Sequence, residues 1–143
     1  SSSSRGLGDV YKRQELEIWN VMHMGLISNS MYFVGMVLMT WLGFRMATKT
    51  RDDKNAEMIG KILVSAFFVL VGLSFLNVTM IAGDIISTSA SAMALLSERT
   101  AGADNLIEVG SSPLNPGGPF SYVFHALIVG MQLLMVWGKS DKA

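Results

Sequence analysis

From Ile62 to Gly83 the chain reads ILVSAFFVLVGLSFLNVTMIAG, 22 residues without one Asp, Glu, Lys or Arg. At 1.5 Å per helical residue such a run covers the roughly 30 Å hydrocarbon core of a bilayer. No water is present there to bond backbone N–H and C=O groups, so an isolated apolar run of this length crosses as a helix. Lys61 at its start can snorkel to the headgroups. Two more runs share this character. Val21 to Phe44, VMHMGLISNSMYFVGMVLMTWLGF, also lacks charge, and Trp19 and Trp41 stand 22 residues apart, roughly 33 Å along a helix, as two interfacial belts. Pro119 to Trp137, PFSYVFHALIVGMQLLMVW, opens on a proline suited to a first helical turn and stops before Gly138. Tyr122 and Trp137 suit its two interfaces.

Composition agrees with lipid as the solvent. Half of the 143 residues are apolar, 15% are charged and the mean hydropathy is +0.41, whereas soluble domains carry roughly 25% charged residues. A formal net charge of zero speaks against nucleic acid as a partner. The absence of cysteine removes disulfides, thiolate metal sites and cysteine nucleophiles.

The expectation is an all-α membrane protein with three transmembrane helices, at about 21–44, 62–83 and 119–137. The connector ATKTRDDKNAEM between the first two is short and polar, which makes them an antiparallel hairpin. Asp52, Asp53 and Asn55 are its N-cap candidates. The second link, 84–118, is longer. Its first part places Ile86, Met93 and Leu96 at helical spacing and reads as an amphipathic helix continuing or kinking from span two near Gly83. Its second part, AGADNLIEVGSSPLNPGG, reads as irregular and turn-rich.

The first fourteen residues, SSSSRGLGDVYKRQ, are polar and lack apolar periodicity. They resemble the translated sequencing-adapter remnant found at the ends of some metagenomic reading frames. That resemblance implies a disordered, non-native tail on a single domain over 15–143, with the native start and any segment upstream of it lost.

Lys and Arg counts set the orientation. Arg45, Lys49, Arg51, Lys54 and Lys61 flank the first link and Lys139 and Lys142 lie in the tail, whereas the long second link holds only Arg99. The positive-inside rule therefore puts the N-terminus and the long link outside and the C-terminus in the cytoplasm, in a bacterial inner membrane.

That topology brings His23, Asp84 and His125 toward the outer side, with Asn77 about two turns deeper than Asp84. Two imidazoles and a carboxylate can form a three-ligand metal site, and Met22 and Met24 beside His23 make it soft enough for copper. Were haem bound instead, His23 and His125 would be the only imidazole ligands. The plainer alternative is ordinary polar contacts at interfaces and between helices. Gln132 in span three reads as an interhelical hydrogen bond. Ala126 and Gly130 form a small-xxx-small pair, with Gly25, Gly35, Gly43, Gly60 and Gly72 on the other two spans.

No phosphate loop, GxSxG or intramembrane carboxylate pair is present, which points away from an enzyme. The leading expectation is a small accessory or structural subunit of a larger membrane complex, with the lipid bilayer and a membrane-protein partner, or its own copies, as contacts. One alternative is a homo-oligomeric pore. The layout of three spans, N-terminus out and basic tail in, resembles class I phage holins at the level of topology, although the long outer link departs from their compact pattern. The other alternative is a metal- or haem-binding membrane protein built on His23 and His125.

Overall fold

A computed structural model describes residues 2–139 of the chain; Lys142, counted above in the basic tail, lies outside them. The described residues form four helices and no strand: α1 (Ser2–Asp52), α2 (Met58–Ala94), α3 (Ala101–Gly110) and α4 (Pro119–Trp137). Three of them, α1, α2 and α4, are long and apolar enough to cross a membrane. The protein is an all-α integral membrane protein.

Helix lengths define two zones. The 19 residues of α4 reach about 28 Å, one bilayer core, whereas the 51 of α1 and the 37 of α2 reach about 77 and 55 Å. The excess of α1 and α2 projects at the end where α3 sits, called here the α3 end; the hairpin connector marks the opposite, basic end. At the basic end the Arg45 guanidinium lies over the Trp41 ring at 5.1 Å and the Lys61 ammonium over Trp137 at 5.9 Å. Trp137 Nε1 also donates to Ser65 Oγ at 3.0 Å. Tryptophan with a neighbouring cation is the usual furniture of a membrane interface. About 20 residues along each helix from that level, the other boundary falls near Gly25, Ile81 and Pro119. The first span thus begins a turn later than its apolar run, because Met22 is spent on an interior contact beyond the boundary.

Two apolar cores hold the zones together. Near the basic end Ala47, Phe68 and Val136 are buried, one from each span, with Val64, Phe67 and Leu133 packed around them. At the α3 end Met22, Ala90, Met93, Ala103 and Leu106 form a second core from α1, α2 and α3. Between the cores, buried polar groups staple the spans. Asn29 Nδ2 donates to the Val78 carbonyl at 3.0 Å, joining α1 to α2. Gln132 Nε2 donates to the Thr40 carbonyl at 3.1 Å, joining α4 to α1 as the sequence suggests.

The structure meets one alternative of the sequence reading and departs from that reading in three places. The amphipathic stretch after Gly83 continues α2 as one helix to Ala94, the first of the two alternatives, with Ile86 and Met93 turned inward as their spacing implies. The stretch 101–110, expected to be irregular, is α3. Thr100 caps it by accepting from Ala103 N, and Ala103, Leu106 and Ile107 supply a helical apolar face. None of Asp52, Asp53 and Asn55 caps α2. Its N-cap is Glu57, without a side-chain bond, while Asp53 Oδ1 accepts from Asn55 N at 2.9 Å and shapes the connector instead. Finally, α1 runs on through residues 2–14, expected to be disordered, as helix.

Candidate functional site

The residues singled out as metal ligands do not converge. His23 is exposed on α1, its Nδ1 2.7 Å from the Trp19 carbonyl and its ring tilted beside the Trp19 indole at 5.9 Å. His125 is buried on α4. Its Nδ1 lies 2.6 Å from the Ser121 carbonyl, which can only accept, so Nδ1 carries the hydrogen. Its Nε2 then meets the Thr79 hydroxyl at 3.2 Å, and the Phe75 and Phe124 rings stand edge-on at 4.7 and 5.3 Å. Both nitrogens are thus engaged, and the imidazole serves as a joint between α4 and α2. Met22 is core, Met24 is exposed, and Asp84 lies exposed on α2 at the α3 end. Among the described residues no three His, Cys, Asp or Glu side chains gather where one ion could bridge them.

Three other arrangements stand out. The first is a groove between α1 and α2, inside the lipid zone at its α3 side, with a volume of about 360 Å³. Ser28, Asn29, Tyr32 and Asn77 line it along with Gly25 and Ile81. Gly25 lets the helices approach, because a Cβ there would sit 3.2 Å from the Ile85 side chain. Asn29 is used in the α1–α2 staple, but Asn77 faces outward and has no side-chain hydrogen bond among the described residues. Tyr32 is exposed beside it.

The second is a latch beyond the membrane. The Glu15 carboxylate is buried and accepts from Trp19 Nε1 at 3.2 Å, from Thr100 N at 3.1 Å and from the Thr100 hydroxyl. It therefore sits at the N-terminus of α3, where the helix dipole favours an anion. The Thr100 hydroxyl bond, outweighing the cost of burial, holds its carboxyl below the usual carboxylate range, with the Thr100 amide and the Trp19 indole adding to the effect.

The third is a recess of about 220 Å³ beneath the loop 111–118, where Asp84, Ser87, Ser112 and Asn115 meet. Backbone forms much of its wall. Gly83 of α2 touches the loop so closely that a Cβ would fall 1.7 Å from the Pro116 carbonyl oxygen, and Gly117 takes φ +81° to turn the chain back into α4.

No family model, curated protein or solved structure matches this chain.

The small residues sort themselves by the same geometry. Gly72 receives the Val129 side chain and Gly43 the Gln132 amide, both as interhelical approaches. Gly130 has open space where a Cβ would go and Ala126 is exposed, so this small-xxx-small pair does not pack within the chain. Sequence reasoning missed Glu15, Tyr32 and Asn115. Only Glu15 left a signal, as one of two acids, with Glu17, just before an apolar run.

Proposed function

We propose that this protein is a small non-enzymatic subunit of a larger assembly in a bacterial inner membrane, with the α3 end outside and the basic end in the cytoplasm. The observation that carries this reading is the Asn77 amide, unpaired among the described residues, in the groove at lipid depth. An amide such as Asn77 costs several kcal/mol in hydrocarbon when unpaired. Side-chain bonds between membrane helices return about 0.6–2 kcal/mol each, and a partner helix laid in the groove could pair Asn77, Ser28 and Tyr32 together. The basic residues around the connector support the orientation.

Extraction from the native host in a mild neutral detergent tests the proposal. A stoichiometric partner should co-migrate, and Asn77→Leu should release it. Migration of the parent as a lone monomer would sink the idea. A complex made only of copies of this chain would transfer the groove to self-association and favour the pore reading.

A further inference from the structure

We propose that the recess between α2 and the loop 111–118 binds one hard, oxygen-seeking cation of the calcium type. Its side-chain donors are the Asp84 carboxylate, the Ser87 and Ser112 hydroxyls and the Asn115 amide; no Lys, Arg or His lines it. Asn115 is 8% exposed, and its Nδ2 donates to Ser87 Oγ at 3.3 Å while its Oδ1 is buried without a hydrogen-bond partner. A buried carbonyl oxygen left unpaired costs about 1–3 kcal/mol, and a cation in the recess would restore that loss, as a water donating to it also would. Asp84, a carboxylate on the same recess, has no ion pair or hydrogen bond among the described residues.

The surroundings favour positive charge. Gly110, the last residue of α3, borders the recess, so the negative end of that helix dipole faces it. Residues 84–118 contain four acidic residues and one basic one, Arg99. That arginine is engaged elsewhere, 2.9 Å from Asp104 Oδ1 and bonded to the Ala94 and Leu96 carbonyls. Oxygen-only donors select a hard ion over copper or zinc. An irregular loop suits the flexible coordination of calcium better than the strict octahedron of magnesium. A volume of about 220 Å³ leaves room for several of the ion's waters.

Charge count sets the affinity. With a single carboxylate, the dissociation constant should fall at about 10⁻⁴–10⁻³ M, the range of weak extracellular calcium modules. The test is calorimetric titration of CaCl₂ into the full chain in a neutral maltoside detergent, which has no headgroup charge to take up the ion. One saturable equivalent is expected in the parent. Asp84→Asn should weaken binding at least about tenfold, and Asn115→Asp, with a second carboxylate, should tighten it by about tenfold. No saturable heat from the parent up to about 20 mM would overturn the proposal, leaving a recess filled by water. So would parent-like binding by Asp84→Asn, an exposed position whose replacement threatens no core contact. Should Asn115→Asp fail to give the parent's far-UV circular dichroism, those two measurements decide alone. If it folds and binds no tighter, Asn115 is not a ligand and the site as drawn is refuted.

Discussion

Replacing Gly83 by alanine should be the most damaging single-methyl change at any glycine of α1 or α2. The added Cβ would lie 1.7 Å from the Pro116 carbonyl oxygen and 2.6 Å from its carbon, and both are backbone atoms. To reach 3.0 Å, the shortest approach real Cβ atoms tolerate, the loop must retreat by roughly 1.3 Å. Its internal bonds, Asn115 N to Ser112 O and Gly118 N to Asn115 O, would move with it. What is lost is the seating on α2, including the Asn115–Ser87 bond. Overpacking of this kind costs about 1–3 kcal/mol and the hydrogen bond about 1, offset by about 1 gained from alanine over glycine in a helix. The net expectation is a loss of about 1–3 kcal/mol. Gly35→Ala is the control, since nothing lies within 4 Å of its would-be Cβ. It should be neutral or stabilising by up to about 1 kcal/mol. Reversible unfolding in mixed maltoside and dodecyl sulfate micelles, followed by tryptophan fluorescence, reads both. If the two variants agree within about 0.5 kcal/mol, the loop is not clamped to α2 and the recess beneath it is not a preorganised site.

Other outcomes follow from the same contacts. Gln132→Leu removes the bond to the Thr40 carbonyl at constant size, and the same unfolding assay should register a loss of about 0.6–1.7 kcal/mol. His125→Ala should cost about 2–3 kcal/mol through the cavity left among Phe75 and Phe124 and the lost Thr79 contact, whereas His23→Ala, at an exposed position, should stay within about 0.5. Glu15 has a folded carboxyl that protonates below its usual range. Its contribution is therefore full above about pH 4.3 and is lost as pH falls through the depressed folded value. The protection factors of the α3 amides, taken relative to the intrinsic exchange rate at each pH, should fall on acidification through that window and should be low at neutral pH in Glu15→Gln. Unchanged protection of α3 in that variant would show that the latch contributes nothing.

Apolar run length carried the three spans, because in lipid a single physical requirement, internal satisfaction of the backbone, overrides local propensity. The interhelical role of Gln132 was legible for a related reason: a lone uncharged amide at bilayer depth has few alternatives. The helix over 101–110 was hidden by Gly102, Asp104, Asn105 and Gly110, all poor helix formers, in a stretch that ends in SSPLNPGG. Its apolar set at Ala103, Leu106 and Ile107 was the signal that outweighed them, because it had a core to join. The continuity of α2 past Gly83 was equally ambiguous, since that glycine serves a close approach and not a bend. Grouping His23, Asp84 and His125 from their depth alone failed to bring them together, because depth leaves the azimuth around each helix unspecified. His125 turns inward to Thr79 and His23 turns away. The recess escaped notice because half of its ten lining residues are glycine or proline, which carry no ligand side chain to mark it in the sequence.

All three prolines of the chain fall at Pro113, Pro116 and Pro119, and α1 has none. From the latch at Glu15 to Asp52 it is one unbroken rod of 38 residues, about 57 Å long. Such a rod behaves as a lever, joined within the membrane to α2 by the Asn29 staple and to α4 by the Gln132 staple. Rocking it by about 5° shifts one tip by about 5 Å relative to the other, with no bond broken along its length. Whatever grips the far end of α1 therefore also pulls on the hairpin connector across the bilayer.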